Sequence, residues 1–182
     1  MAINIYEQCN NAITGETFRA VSKDPYVFKM RWQTKPGIKH AGIEHIHDMQ
    51  DEIFYVSKGE LKLLVDGREQ KAGPGEKIIV GRGKAHVVLN TTSELDILLE
   101  LRPALDYDKL MQCFEGLLND GYTNKQGHVD IRMLGYMMRK MRCKSTTRPA
   151  AISALKFKMA LNKFYLIGIF KGWKHLYYKY TG

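Results

Sequence analysis

The chain has little cysteine and no long apolar run, and its last third is almost without acid; each shortage excludes something. Its three cysteines, Cys9, Cys113 and Cys143, are odd in number and far apart. That argues against a disulfide framework or a thiolate zinc site, and for a reducing compartment. The longest apolar stretch, FYLIGIF at residues 164–170, is far too short to span a bilayer. The opening MAINIYEQCNNAITG has no basic stretch leading into an apolar one, so no secretory signal is expected and a cytoplasmic protein is the default. Residues 121–182 hold 13 Lys and Arg against one acid, Asp130, whereas residues 1–120 hold 15 against 18. Two parts with different electrostatic roles follow from that split.

What is present suffices for a folded domain. A length of 182 residues, 45% of them hydrophobic and 26% charged, fits a globular chain with one core and an appendage. Residues 27–102 read as short strands. VFKMRWQ alternates Phe28, Met30 and Trp32 with Lys29, Arg31 and Gln33, the period of a half-buried strand. EIFYVSKG, ELKLLVDG, EKIIVG, AHVVLN and LDILLELR follow. Asp66-Gly67 is a two-residue hairpin signal, since a type I′ turn needs positive φ at both central positions. Many short strands between Gly and Pro turns predict a sandwich or barrel.

After Pro103 the period changes. Leu110, Phe114, Leu117 and Leu118 stand at helical spacing before Gly121, and Leu134, Met137, Met138 and Met141 repeat the pattern. A third helix is expected to begin near Pro149, as a first-turn proline, and to weaken or split at Gly168 and Gly172. The division is therefore placed at 1–103, mainly β, and 104–182, a basic helical extension.

The segment HIHDMQDE carries His45 and His47 two residues apart, on one face if the segment is a strand. Glu52 follows, able to return to that face after a turn. The spacing is H-x-H-x4-E-x6-G, ending at Gly59; some 30 residues on, Gly75, Gly83, His86 and Asn90 keep a second regular spacing. This pair of blocks resembles the two motifs of the cupin superfamily over residues 27–102. Lys39 stands where the first motif opens with glycine, and Gly81 where the second has proline; both departures touch turns, not ligands.

The resemblance implies a double-stranded β-helix, a jelly-roll barrel, with His45, His47, Glu52 and His86 converging on a divalent metal ion inside it. Fe, Mn, Ni and Zn all suit three imidazoles and a carboxylate. It also implies a small-molecule ligand rich in oxygen, with a dioxygenase or isomerase among the possible activities, and an edge-strand homodimer. A bound ion with one carboxylate keeps a net charge of about +1, which favours an anionic or bidentate oxygen ligand. The alternative is a non-catalytic sensor or binding barrel.

Softer candidates surround this set. Arg31, with Lys29 and Gln33, clamps a substrate carboxylate if its strand face looks inward, and is solvated if Phe28, Met30 and Trp32 face the core. Phe54 and Tyr55 compete for the metal side of their strand. His40 is either a loop residue or a group near the ligand. In the tail, Ile152, Leu155, Met159, Leu166, Phe170, Trp173, Tyr177 and Tyr180 form one helical stripe, and Phe157, Leu161 and Phe164 another nearly opposite. A helix apolar on two sides packs on both, so residues 150–182 are expected to dock on the barrel, on a partner or, through their lysines, on a membrane surface. Nucleic acid is disfavoured, because no helix-turn-helix or zinc-finger pattern is present.

Overall fold

The structure, a computed structural model, describes residues 2–37, 42–89, 94–142, 144 and 147–182. Lys39, His40, Asn90 and Cys143 lie outside the described residues.

Ten strands come first: β1 Cys9–Asn10, β2 Thr17–Lys23, β3 Phe28–Thr34, β4 His45–His47, β5 Asp51–Lys58, β6 Leu61–Val65, β7 Arg68–Ala72, β8 Lys77–Val80, β9 Ala85–Val88 and β10 Leu95–Arg102. Then come α1 Tyr107–Asn119, α2 Ile131–Lys140, a further strand β11 Thr147–Pro149, α3 Ala154–Phe170 and α4 Lys174–Thr181. The strands form two antiparallel sheets, ordered β1-β2-β3-β10-β5-β8 and β11-β4-β9-β6-β7. This is the jelly-roll barrel followed by helices that the sequence predicts.

Alternation sets which side chains fill the space between the sheets. Phe28, Met30 and Trp32 of β3, Phe54 and Val56 of β5, Leu61, Leu63 and Val65 of β6, and Ile97, Leu99 and Leu101 of β10 make one buried cluster. Arg31 therefore stands on the outer face, where Asp96 holds its guanidinium and Gln33 Nε2 donates to the same carboxylate at 2.9 Å. Of the two readings open for Arg31, this parity selects the outer face, with Phe28, Met30 and Trp32 in the core. Asp66 and Gly67 turn the β6–β7 hairpin with φ of 46° and 76°, as a type I′ turn requires. Gly59 closes the β5–β6 turn at φ 82°, and a Cβ there would lie 2.0 Å from the Glu94 carbonyl oxygen.

The helices differ from the sequence expectation in two places. Pro149 does not open a helix; it ends β11, which pairs antiparallel with β4. α3 starts five residues later, capped by Ser153, whose side chain accepts from Lys156 N. Gly168 does not break α3 either. The chain breaks at Gly172, with φ 70°, and Gly168 is buried where α3 meets α2. A Cβ on Gly168 would lie 2.1 Å from Tyr136 Cδ2. Alanine at that site gains about 1 kcal/mol of helix propensity, but the overlap with a buried ring costs about 1–3 kcal/mol. Gly168→Ala should therefore lower the thermal midpoint; an unchanged or raised midpoint would remove the close approach.

One buried acid lies apart from the barrel interior. Glu115 of α1 is 2% exposed, and its Oε1 has no hydrogen-bond partner among the described residues. Burial pushes its carboxyl up to about 8, and burial together with Glu115 pushes the Cys9 thiol up to about 12. Between the ordinary value of 4.5 and about 8 the native state holds a proton that the unfolded chain releases. Stability then falls as pH rises through that window, because the native state binds more protons. Glu115→Gln should flatten the fall and melt above the parent at pH 8; equal slopes in pH-dependent melts would show that Glu115 ionises freely in the native protein.

Candidate metal centre

The four residues of the HIHDMQDE segment and its partner block come together between the sheets. His45 and His47 sit on one side of β4, with Ile46 on the other, because successive strand residues alternate. β9 pairs with β4 so that His86 stands opposite His45, their ring centroids 4.3 Å apart. Glu52 comes from the facing sheet, where β5 lies between β8 and β10. One carboxylate from one layer thus meets three imidazoles from the other. The backbone joins the two blocks as well: Gly83 N donates to His47 O at 2.8 Å.

One ligand atom from each of His45, His47, Glu52 and His86 lies within 4.8 Å of all the others. Donors about 2.1 Å from a common ion stand about 3–4 Å apart, so the group can hold a metal ion. His86 Nε2 is 2.7 Å from Glu52 Oε2, and His47 Nε2 is 3.1 Å from the same oxygen. The second contact is too poorly aligned for a hydrogen bond, which leaves His47 Nε2 buried and unsatisfied. An orphaned buried polar atom of this kind costs about 1–3 kcal/mol, a cost that a coordinated cation would remove.

The remaining ring nitrogens are held from behind. His45 Nδ1 lies 2.7 Å from Ile43 O and His86 Nδ1 lies 3.2 Å from Lys84 O. Each contact makes Nδ1 a protonated nitrogen. His45 Nε2 is then the free lone pair that a ligating histidine needs, whereas His86 Nε2 carries a proton to the Glu52 carboxylate, one that a bound cation would displace. His47 Nδ1 lies 3.4 Å from Thr147 Oγ1, and Thr147 pairs with His47 across β11 and β4.

The electrostatics favour a cation. Burial pushes His45 down to about 4, with His86 and His47 adding to the fall and Glu52 opposing it. Its imidazole is then neutral near pH 7, as metal binding requires. Burial alone would raise the Glu52 carboxyl, but the charge of His47 and the charge and hydrogen bond of His86 outweigh it and hold the group well below the usual carboxylate range. Burial opposes a charge on His86 too, yet its contact with Glu52 raises it.

Phe54, not Tyr55, takes the side of β5 that faces the histidine cluster, its ring 6.3 Å from that of His86. Tyr55 looks outward, beside the Lys77 ammonium. Sequence reasoning missed three neighbours. Thr147 is one; Tyr107 of α1, with its ring 6.2 Å from His47, is another. Gln50 is the third, buried at the β4–β5 turn, where its Nε2 donates to Pro103 O at 2.8 Å and Ala104 O at 3.2 Å. No local pattern marks Thr147 or Tyr107, because each reaches the site from the helical extension.

Comparison with known proteins places this geometry. The Cupin domain family matches residues 30–100. An uncharacterized HTH-type transcriptional regulator, YdiP of Escherichia coli K12, is 26% identical over 91 residues, 50% of this chain and 29% of that protein. The chain thus spans less than a third of that regulator's length. Among solved structures, KdgF from Halomonas sp. is 18% identical, covering 59% of this chain and 98% of its own, with a TM-score of 0.49. The nucleoside dehydratase Pac13 of Streptomyces is 17% identical, covering 59% and 85%, with a TM-score of 0.45. The family match lies on the strands that carry both motifs: over residues 30–100 the barrel of this chain matches the Cupin domain family.

Proposed function

We propose that the barrel is a metal-dependent site for a small, oxygen-rich molecule, with His45, His47, Glu52 and His86 as the ligands of one divalent ion, Fe, Mn, Ni or Zn. The observation that carries this reading is the dry convergence of four donor atoms with one of them, His47 Nε2, left unsatisfied. A bound ion would polarise a substrate oxygen or present an open position to one. The protein's own part is to hold His47 and His86 with Nε2 toward Glu52, with His45 neutral beside them, and to keep Glu52 ionised. Phe54 and the apolar cluster behind it exclude water, which strengthens each charge interaction inside. One carboxylate leaves net positive charge at a divalent centre, so a ligand with a carboxylate, enolate or vicinal oxygens fits better than an apolar or cationic one.

A non-catalytic reading uses the same ligands. In it the barrel senses its small molecule, and residues 150–182 dock the protein elsewhere; the exposed outer side of α3 favours it.

Elemental analysis of anaerobically purified protein should give close to one divalent metal per chain, lost in Glu52→Ala and in His86→Ala while circular dichroism stays unchanged. Folded parent protein that takes up no metal after reconstitution would end the proposal. Thr147→Val keeps the shape of its side chain and removes the hydroxyl beside His47 Nδ1. Partners behind a ligating histidine are worth about 10–100-fold in metal affinity, so a competition titration should show a loss in that range. Unaltered affinity would mean that the Thr147 hydroxyl does not orient the ring.

A further inference from the structure

α3 is apolar on two opposite sides, and the protein uses one. Phe157, Leu161 and Gly168 are buried, with Phe164 half-buried beside them. Phe164 and Leu161 close on Gly135 of α2, and Gly168 on Tyr136. On the other side Leu155, Met159, Leu166, Ile169 and Phe170 are each more than half exposed, Phe170 to 89%. At 3.6 residues per turn these five side chains fall within an arc of about 100° along the whole helix. Exposed apolar rows of this length mark an interaction face.

The charges around the row say what fits it. Lys158 flanks it on one side, Lys156 and Lys163 on the other, and Lys171 stands at the C-cap; all four are exposed and without an ion pair among the described residues. Lys179, by contrast, is held by Asp120. The chain has no acid after Asp130, so nothing on α3 or α4 neutralises these lysines. A second copy docked on the same face would bring two lysine rims together, and like charges oppose that pairing. Anionic lipid headgroups oppose nothing: they meet the lysines while the acyl boundary takes the apolar row.

We propose that the outer face of α3 is a docking surface for an anionic lipid bilayer, with the helix lying in the plane of the surface. No helix among the described residues is long and apolar enough to cross a membrane, and α3, 17 residues long, extends about 25 Å. Leu155, Met159, Leu166, Ile169 and Phe170 enter the boundary layer, and the lysines sit at headgroup level. This surface is independent of the metal reading, since none of its residues touches the ligand cluster.

The test uses the full chain and two sets of vesicles, phosphatidylcholine alone and phosphatidylcholine mixed with phosphatidylglycerol. The protein should co-sediment with the mixed vesicles only, and added salt should release it, because exposed charge pairing is screened. Leu166→Asp with Phe170→Asp, and separately Lys158→Glu with Lys163→Glu, should each lower the partition coefficient by about tenfold or more. All four positions are exposed, so thermal melts and metal content should match the parent, and Glu52→Ala should still bind vesicles. Failure to bind the mixed vesicles, equal binding to neutral ones, or binding unaffected by either pair of changes would overturn the proposal. A dimer in sedimentation velocity that Leu166→Asp with Phe170→Asp dissolves would overturn it too, assigning the face to a second copy.

Discussion

A carboxylate inside a dry barrel is the constraint from which the rest of the structure follows. Glu52 is 5% exposed, and an ionised group taken out of water costs several kcal/mol unless it is paired. Its partners cannot come from its own sheet, where Val80 and Leu101 flank it. They come across the barrel from His47 and His86, so the two sheets are joined by charge as well as by apolar packing. That is why β4 and β9 must keep their register. A slip of one residue would turn Ile46 inward and both histidines of β4 outward, leaving Glu52 with His86 alone.

The helical extension is tied to the same constraint. Without β11, β4 would be the edge of its sheet, three residues long and carrying the half-buried His45 and the buried His47. Open edges invite wrong pairing. β11 covers that edge, and Arg148 fixes it further: its Nε lies 3.0 Å from both Asp48 oxygens, and its Nη1 donates to Ile152 O at 2.9 Å. At the start of the extension, Ala104 O accepts from Gln50 of the β4–β5 turn and the Tyr107 ring lies 6.2 Å from that of His47. The division at residue 103 marks where strands give way to helices. It does not mark where the barrel's support ends, because residues 147–149 form part of the sheet that carries His45, His47 and His86.

Much of this was legible in the sequence where one face of an element is buried. β3, β5, β6, β8 and β10 alternate or run apolar and glycines mark their turns, so a sandwich or barrel could be read directly. The grouping of His45, His47, Glu52 and His86 came from the resemblance of their spacing to the cupin motifs. β2 could not: of TFRAVSK only Ala20 is buried, so no apolar period exists to find. β7 is polar or charged throughout except Ala72, and only the Asp66-Gly67 turn betrays it. β11 consists of Thr147, Arg148 and Pro149, residues with no strand pattern; its pairing depends on the long-range placement of β4. Gly168 misled because helix propensity treats glycine as a weakness, whereas here its missing side chain lets α3 approach Tyr136. The parity of Arg31 and Tyr55 was undecidable locally, since both faces of those strands carry plausible neighbours.

The uneven charge has to be explained apart from stability. On the barrel, cations are matched nearby: Lys29 by Glu100, Arg31 by Asp96, Arg82 by Asp51 and Lys84 by Asp66. Exposed pairs of this kind contribute about 0–1 kcal/mol each, but they cancel the distant field. Among the described residues of the extension, only Arg132 and Lys179 have such partners within the helical layer, Asp130 and Asp120. What holds those helices is contact between side chains and glycines: Tyr180 against Gly116, Tyr136 against Gly168, and the Tyr180 hydroxyl donating to Asp120 at 2.7 Å. The unmatched lysines add repulsion to that packing and contribute nothing to it. A sequence that pairs its charges over one half and leaves them unpaired beside an exposed apolar row over the other is therefore shaped by something outside the fold, and the sign of the charge says that this partner is negative.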